Sequence, residues 1–319
     1  MMMKRFPIVK HSILWLALSA LVAAVGAFIF FKYQNLSIQF TGGMEIKVNA
    51  TLDREKVQEE IKAMLENEGY TDPGVSIGTK DNYDTILLQI PVDNQQKVTT
   101  LGTDIQTYLL NNKYIDGKDD ILEQSIIGAS IGEYVKNSTL WALGLGFLFI
   151  ALYIAFAFMA VRNFISPVIL GLLTLSTLIF DIAVPAGAYG ILMAINHTVQ
   201  VDTIFVLAIL TIMGYSINDT IIIFDRIREN MKTHASQLSS RKMTYEKLFD
   251  DSIWQTMRRT LGTSLSTFLV VICMRIFGTG TMQSFAFLIG IGIIAGTLSS
   301  IFIAASFSYV IIRYIEKKK

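Results

Sequence analysis

One aspartate lies within an apolar stretch where a carboxyl group can carry protons. Asp219 follows the run Gly214–Asn218 and precedes Thr220 and four apolar residues, before the next charge at Asp225. Six helical positions place it roughly 9 Å inside that charged boundary. An ionised carboxylate in lipid costs roughly 3 kcal/mol or more, so an acid at this depth indicates a function. We therefore interpret Asp219 as a group that binds and releases a proton.

Hydrogen-bonding side chains surround this carboxyl in the sequence. We predict a supporting polar pocket formed by Tyr215, Ser216, Asn218 and Thr220. The alternative is that Asp219 only cross-links helices through hydrogen bonds. The cost of burying an acid favours the proton-binding interpretation.

Arg259 is the candidate counter-charge for this acid. Arg258 and Arg259 open a later apolar stretch, and Thr263 follows Arg259 by one helical turn on the same face. Arg259 could pair with Asp219 in one state and release it in another. The alternative for both arginines is an anchor on the inner side of the membrane, which we favour for Arg258.

Asp181 is a second acid, within the apolar run Leu178–Ile182. It could relay a proton or merely bind a backbone or hydroxyl group, and both interpretations stay open. Elsewhere, Gly42 and Gly43 follow Thr41 just before the first predicted strand. Because glycine allows positive φ, this pair predicts a tight turn or hinge from a membrane helix into a folded domain.

The sequence lacks the residues that metal sites, cofactor sites and catalytic sites usually need. The chain has one cysteine, three scattered histidines and no glycine-rich phosphate loop. We therefore expect no metal site, no cofactor and no enzymatic activity. The net charge of only +1 argues against a nucleic-acid partner.

The composition predicts a membrane protein. The chain is 52% hydrophobic and only 17% charged. Ser12–Phe31 is long enough to cross the lipid, and it lacks the small-residue cleavage site of a signal peptide, so we expect a retained first span. Five further spans are predicted at about 138–160, 164–189, 201–224, 260–277 and 283–312, with a loop at 225–259.

A folded domain is expected between the first two spans. We divide the chain into a tail and first span at 1–34, a domain at 35–137 and a five-helix bundle at 138–319. Its strands are predicted at Met44–Ala50, Val75–Thr79, Thr85–Val92 and Ile121–Ile127, and its helices from Asp53 to Glu68 and over Asn94–Asn111. The order β-α-β-β-α-β predicts an α+β, ferredoxin-like domain.

The basic residues predict the orientation. They cluster in the segments expected inside: Lys4, Arg5, Lys10, Arg162, eight residues of the loop 225–259, Arg313, Lys317, Lys318 and Lys319. The domain is acidic, with seventeen acidic against nine basic residues. Both termini are therefore expected in the cytoplasm and the domain outside.

The run Gly214–Thr220, followed by Asp225–Asn230, closely resembles the SecF signature of the SecD/SecF family of protein-export membrane subunits, in the RND superfamily. Phe40–Gly43 resembles the glycine motif of this family, and Arg259–Thr263 resembles its Arg and Thr pair. Asp181 falls where the family has a His-Asp pair, with a phenylalanine in place of the histidine.

The resemblance implies half of an RND-type transporter in the bacterial inner membrane. It implies SecD as obligate partner, work with the SecYEG channel and indirectly with SecA, and use of the proton-motive force in late translocation and release of an unfolded preprotein. By this resemblance Asp219 carries the proton, with Arg259 and Thr263 as switching partners. Two alternatives stay open: an RND-like exporter of a small molecule or lipid, and a purely structural assembly subunit.

Overall fold

The computed structural model describes residues 6–70, 73–80, 83–90, 95–157, 159, 167–196 and 198–317. Some residues used in the sequence analysis lie outside these ranges: Lys4, Arg5, Pro91, Val92, Asn94, Arg162, His197, Lys318 and Lys319.

The chain enters the structure through a membrane-length helix. A 3-10 turn at Val9–His11 leads into α1 (Ser12–Tyr33), and the short α2 (Ile38–Thr41) follows. The Ser37 hydroxyl caps α2 by accepting a hydrogen bond from the Gln39 backbone N–H. Helix α2 therefore forms a short, capped step between the first span and the domain.

The domain has the predicted β-α-β-β-α-β order. Its elements are β1 (Gly43–Val48), α3 (Arg54–Asn67), β2 (Gly74–Lys80), β3 (Tyr83–Gln89), α4 (Gln95–Asn111) and β4 (Ile121–Ile127). The strands pair in the order β2-β3-β1-β4, with every neighbouring pair antiparallel. Asp53 precedes α3 as predicted, but its side chain makes no capping bond, and Gly69 ends the helix with a φ of 93°.

One face of this sheet packs against the two helices. Met44 pairs with Leu88, and Ile46 pairs with Ile86 in the central strands. All four side chains are buried in a core completed by Val57, Ile61, Leu65, Leu101, Ile105 and Leu109. The alternation of apolar residues along β1 therefore sets the register of this strand against its neighbours.

The remaining chain forms the rest of the helical bundle. Its elements are α5 (Ala129–Ala157), α6 (Pro167–Ile195), α7 (Thr203–Thr233), α8 (Ala235–Ser239), α9 (Tyr245–Phe277), α10 (Thr281–Leu298), a π-helical segment (Ser299–Ala304) and α11 (Ala305–Lys317). Six helical stretches among the described residues are long and apolar enough to cross a membrane, which confirms the predicted fold class. The most buried of them are α6, α7 and the stretch that begins with α10, so these helices form the centre of the bundle.

The helices extend beyond several predicted spans. The predicted loop 225–259 is largely helical, because α7 continues to Thr233 and α9 begins at Tyr245. Charged side chains one turn apart support the end of α7, where Arg226 pairs with Glu229 at 2.5 Å and Arg228 pairs with Asp225. The length of an apolar stretch predicts only the part of a helix that lies in lipid. The ion pairs support the continuation of α7 beyond that part.

Glycine allows α1 to approach α6 closely. A Cβ added to Gly187 would lie 2.5 Å from the Gly26 Cα, and a Cβ added to Gly26 would lie 2.4 Å from the Ala183 carbonyl oxygen. Both contacts are to backbone atoms, which cannot rotate out of the way. The crossing of these two helices therefore requires glycine at both positions.

Candidate proton-coupling site

The structure buries both intramembrane acids at the centre of the bundle. Asp219 on α7 is 1% exposed and Asp181 on α6 is 0% exposed. Each carboxyl group has one oxygen bonded to a serine and one oxygen, Oδ1, with no hydrogen-bond partner in the described part of the chain. Either oxygen of such a carboxyl can take up a proton, and the adjacent serine hydroxyl can donate to the carboxylate or accept from its O–H.

Ser216 connects Asp181 to α7. The Ser216 hydroxyl donates a short hydrogen bond to Asp181 Oδ2, and Ser216 itself is buried. Gly296 of α10 makes room for this serine, since a Cβ added there would lie only 3.0 Å from the Ser216 Cβ. The G-x-x-x-G pattern Gly292–Gly296 thus brings α10 against α7 beside the acid.

Asp219 is hydrogen-bonded by α9 rather than by α6. The Ser264 hydroxyl on α9 donates to Asp219 Oδ2 at 3.2 Å. Thr297 Oγ1 on α10 lies 2.7 Å from Ser264 Oγ and 2.8 Å from the carbonyl oxygen of Ile293. Three helices therefore meet at this carboxyl through hydroxyl groups.

The π-helical segment completes the polar layer. Ser300 Oγ lies 2.9 Å from Thr220 Oγ1 and 3.4 Å from the carbonyl oxygen of Ser216. The wider turn of a π-helix frees carbonyl groups and shifts side chains, and such segments are frequent at functional sites. Its position beside α7 links the irregular part of the last span to the acid-bearing helix.

The predicted supporting pocket is only partly assembled around Asp219. Ser216 and Thr220 are buried in the polar layer, as described. Tyr215 is half-buried, and its hydroxyl has no hydrogen-bond partner among the described residues. Asn218 is exposed and lies on another face of α7, because adjacent helical residues point in different directions.

The predicted partners on α9 do not bond Asp219 here. Arg259 is exposed, and its charge acts on Asp219 from a distance rather than through a hydrogen bond. Thr263 is also exposed, and its hydroxyl bonds the carbonyl oxygens of Arg259 and Thr260 in its own helix, at 3.1 and 3.0 Å. Arg259 and Thr263 share a face of α9, and that face is exposed.

Ser264, the residue after Thr263, was not predicted from the sequence. A signal for it exists, because hydroxyl residues recur every four positions along α9. These residues are Ser252, Thr256, Thr260 and Ser264, and all four are buried. A spacing of four places side chains on one helical face, so the stripe identifies the side of α9 that faces the bundle.

Gly42 and Gly43 form the predicted tight turn. Their φ angles are 76° and 136°, values that strongly favour glycine. A Cβ on Gly43 would lie 2.0 Å from the Leu88 carbonyl oxygen, and one on Gly42 would lie 2.9 Å from the Ala129 Cα. The turn therefore packs tightly against both the sheet and the start of α5.

The segment between α6 and α7 contacts the domain. Asn196 and Thr198 side chains donate to the Thr79 carbonyl oxygen at the end of β2, at 3.2 and 2.9 Å. In the same segment, Val201 exchanges two backbone hydrogen bonds with Asn35 and Ser37, at 2.7 and 2.9 Å. This segment joins the two acid-bearing helices, so the domain is connected directly to both.

A polar cavity of about 460 Å³ lies beside this contact. Its walls come from the sheet, the α6–α7 segment and the α9–α10 connection, and they include Glu45, Asp202 and Arg275. The described residues contain no group of three or more His, Cys, Asp or Glu side chains that could hold a metal ion. Beside this cavity, the domain and the bundle meet through the polar contacts of Thr79 with Asn196 and Thr198.

Comparison with known proteins gives a consistent result. Residues 109–314 match the family model "Protein export membrane protein SecD/SecF, C-terminal". The protein translocase subunit SecF of Acidaminococcus fermentans is 30% identical over 310 residues, covering 95% of this chain and 96% of the relative. The SecF subunit of Sebaldella termitidis is also 30% identical, covering 91% of this chain and 86% of the relative.

A longer relative and its crystal structure match as well. The protein translocase subunit SecDF of Thermus thermophilus is 32% identical over 91% of this chain, which spans 36% of that relative. The crystal structure of SecDF from Thermus superposes with a TM-score of 0.74 and 28% identity, covering 99% of this chain and 39% of the solved one. The chain is therefore about two fifths as long as the SecDF structure that it matches.

Proposed function

Because the chain is a Sec-pathway export subunit of the SecD/SecF family, we propose that it couples proton movement to late steps of preprotein translocation. The observation that carries the proposal is the pair of buried carboxyls, Asp219 and Asp181, in a hydroxyl-lined layer of an otherwise apolar bundle. Acids that deep in a membrane are costly and are retained where protons or ions move.

SecD is the proposed partner. The Thermus relative is named SecDF, and this chain corresponds to about a third of it, 36% by length. Polar side chains on the exposed faces of two spans, Asn218 on α7 and Arg259 on α9, support a protein neighbour, because lipid would leave them without hydrogen-bonding groups. SecD would cover these faces, and the pair would act with SecYEG, after SecA has driven the preprotein into the channel.

The proposed setting is the bacterial cytoplasmic membrane. Both termini would lie in the cytoplasm and the acidic domain outside, on the side where the preprotein emerges. We also propose that the outside domain begins after residue 34 and ends at residue 137, as predicted from the sequence. The chain would act as a transport subunit rather than an enzyme, without a metal or cofactor of its own.

The proposed cycle alternates the partners of Asp219. In the observed arrangement, Ser264 donates a hydrogen bond to the Asp219 carboxyl. Arg259 is exposed and acts on this carboxyl only through its positive charge. After deprotonation, the carboxylate would attract Arg259, and α9 would have to turn to bring the shared face of Arg259 and Thr263 inward. Asp181 would respond through Ser216, because this serine sits on the same helix as Asp219.

The domain is the proposed moving arm. Its contact with the α6–α7 segment is small and polar, and interfaces of this type permit relative motion. One charge that crosses a potential of 100 mV releases about 2.3 kcal/mol, so a few coupled protons suffice to shift a two-state equilibrium. The Gly42–Gly43 turn would serve as the hinge on the side of the first span.

Asp219→Asn tests the proposal in membranes that contain the chain with SecD. We expect the variant to assemble with SecD but to lose the part of preprotein export that a protonophore abolishes in the wild type. Asp219→Glu is the matched control, since it keeps a titratable group and should retain part of this stimulation. Unimpaired proton-driven export in Asp219→Asn would refute the role of Asp219.

Proton flux separates a motor from a structural subunit. If the buried acids only hold helices together, vesicles with Asp219→Asn and wild-type chains will conduct protons equally. A loss of proton flux together with intact assembly supports coupling.

A further inference from the structure

We propose that Ser264 and Thr297 are positioning residues that form a reversible hydroxyl relay behind Asp219. The relay would reverse the direction of its hydrogen bonds each time Asp219 gains or loses a proton. This inference rests on the proposed proton-binding role of Asp219 and assigns to that role two residues outside the sequence signature.

The relay has four members in a continuous line. Asp219 Oδ2 is 3.2 Å from Ser264 Oγ, which is 2.7 Å from Thr297 Oγ1, which is 2.8 Å from the Ile293 carbonyl oxygen. Ser264 and Thr297 are 6% and 7% exposed, so the surrounding protein shields these bonds from solvent. The line crosses from α7 through α9 to α10.

Each hydroxyl has a single proton to donate, and this fixes two possible orders. When Asp219 is ionised, Thr297 donates to Ser264 and Ser264 donates to Asp219. When Asp219 carries a proton on Oδ2, that O–H donates to Ser264, Ser264 donates to Thr297, and Thr297 donates to the Ile293 carbonyl. Only hydroxyl rotation is needed, and the net chemical change is one proton gained or lost at the carboxyl.

The Ile293 carbonyl is the feature that makes reversal possible. It lies one turn before Thr297 in the same helix, and a carbonyl oxygen can accept a second hydrogen bond beside that of its helix. Without this end acceptor, protonation would leave the Thr297 hydroxyl buried and unbonded, which is unfavourable. With it, Asp219 meets a donor in one state and an acceptor in the other. The three helices stay connected in both for as long as α9 keeps the orientation seen here, before the proposed turn that would bring Arg259 inward.

The neighbours of Asp219 define what else can influence its titration. Arg259 on α9 acts through its charge, and Asp181 on α6 is connected to α7 by the Ser216 hydrogen bond. The last span contributes hydroxyl groups, with Thr297 from α10 and Ser300 from the π-helical segment. A substitution at Thr297 therefore leaves both charged neighbours in place.

The test compares Thr297→Val, which keeps the shape but removes the hydroxyl, with Thr297→Ser, which keeps the hydroxyl. The chain is reconstituted with SecD in proteoliposomes, and infrared difference spectra are recorded across a pH titration. The Asp219 carbonyl band is assigned by its loss in Asp219→Asn. Thr297→Val leaves the Ser264 proton without an acceptor only when Asp219 is protonated, so it disfavours the protonated state. We therefore expect the midpoint to fall by about one pH unit and Thr297→Ser to restore it.

Thr174→Val is the matched control, since the buried Thr174 hydroxyl bonds only the Leu170 carbonyl of its own helix, at 3.0 Å. It should leave the Asp219 band unchanged. A second test uses the serial order of the relay: in a Ser264→Ala background, Thr297→Val should add no further shift.

Three outcomes decide between the proposals. A midpoint in Thr297→Val that equals the wild-type value overturns the relay alone, as does an additive shift in the double variant. Absence of any titrating Asp219 band in the wild type overturns the proton-binding role, and the relay with it. A shift that Thr297→Ser reverses supports both.

Discussion

Ser216 and Asp219 stand three residues apart on α7, and they bond to different neighbouring helices. Ser216 donates to Asp181 on α6, whereas Asp219 accepts from Ser264 on α9. Helix α7 therefore connects the two acids, and any rotation of α7 would change both contacts together. Three residues correspond to about 300° of helical turn, so the two side chains point about 60° apart and reach different neighbouring helices.

The bond between Ser216 and Asp181 should contribute measurably to stability. Ser216→Ala removes the donor and leaves Asp181 Oδ2 buried without it, so we expect a loss of about 1–3 kcal/mol in the free energy of unfolding. Denaturant titration of the purified complex in detergent measures this loss. Ser176→Ala is the control, because its hydroxyl bonds only the Leu172 carbonyl in the same helix. Equal stability of the two variants would contradict the structural importance of this bond.

The crossing of α1 and α6 predicts a second stability effect. Gly187→Ala places a Cβ 2.5 Å from the Gly26 Cα, so the helices must separate. We expect a loss of about 1–3 kcal/mol from this overpacking. Gly144→Ala on α5 is the matched control, since among the described residues a Cβ there would meet no atom within 4 Å outside its own helical turn. If thermal unfolding in detergent shows the same midpoint for both, the close approach of α1 and α6 is wrong.

The fold was accessible from sequence because it depends on long regular patterns. Apolar length predicted six spans, and alternation along Met44–Ala50 predicted a strand in a four-stranded sheet. The helix ends were less accessible. The charged end of α7 has the polarity of a loop, yet its ion pairs at three-residue spacing keep it helical to Thr233.

The site was predictable only in part. Placing an acid in an apolar run costs free energy, and this cost identified Asp219 and Asp181 as candidates. Both are buried in the structure. Which neighbours bond them depends on helix rotation, and a shift of one residue changes the facing side by about 100°. For this reason Thr263 was predicted, while Ser264 makes the bond. The contact of Thr297 with Ser264 joins residues 33 positions apart, which no local pattern reveals.

Glu68 predicts a pH dependence in the domain. Partial loss of hydration at the Glu68 carboxyl, together with the negative charge of Asp104, raises the pKa of Glu68 above its usual value of 4.5, although the side chain is largely exposed. The folded state therefore holds this proton more tightly than the unfolded state, and stability falls as pH rises through the interval between the two pKa values. Glu68→Gln should then stabilise the domain slightly at pH 7 and have no effect at pH 3.

Hydrogen exchange of the β1 and β3 amides in the full chain measures this difference. Glu59→Gln, a substitution of an exposed residue on the same helix, serves as the comparison. A benefit of Glu68→Gln that persists unchanged at pH 3 would mean that the charge of Glu68 is not its cause.

The contact between β2 and the α6–α7 segment offers a way to lock the domain. A Cβ on Gly78 would lie 3.6 Å from the Thr198 Cβ, within the range of about 3.5–4.5 Å that a disulfide requires. The single native cysteine, Cys273, is exposed and can be replaced by alanine to leave one defined pair. Gly78→Cys with Thr198→Cys should therefore form a disulfide under oxidation.

If the domain must leave this contact during export, the oxidised pair will block proton-driven export almost completely, and a reductant will restore it. Export assays in membrane vesicles, with the extent of cross-linking read from gel mobility after cleavage between the cysteines, provide the measurement. Thr198→Cys alone is the control and should export equally with and without oxidant. Full export by a completely cross-linked chain would show that β2 stays in contact with the α6–α7 segment throughout the cycle. The moving element would then lie in the bundle, where α9 must turn for Arg259 to reach Asp219.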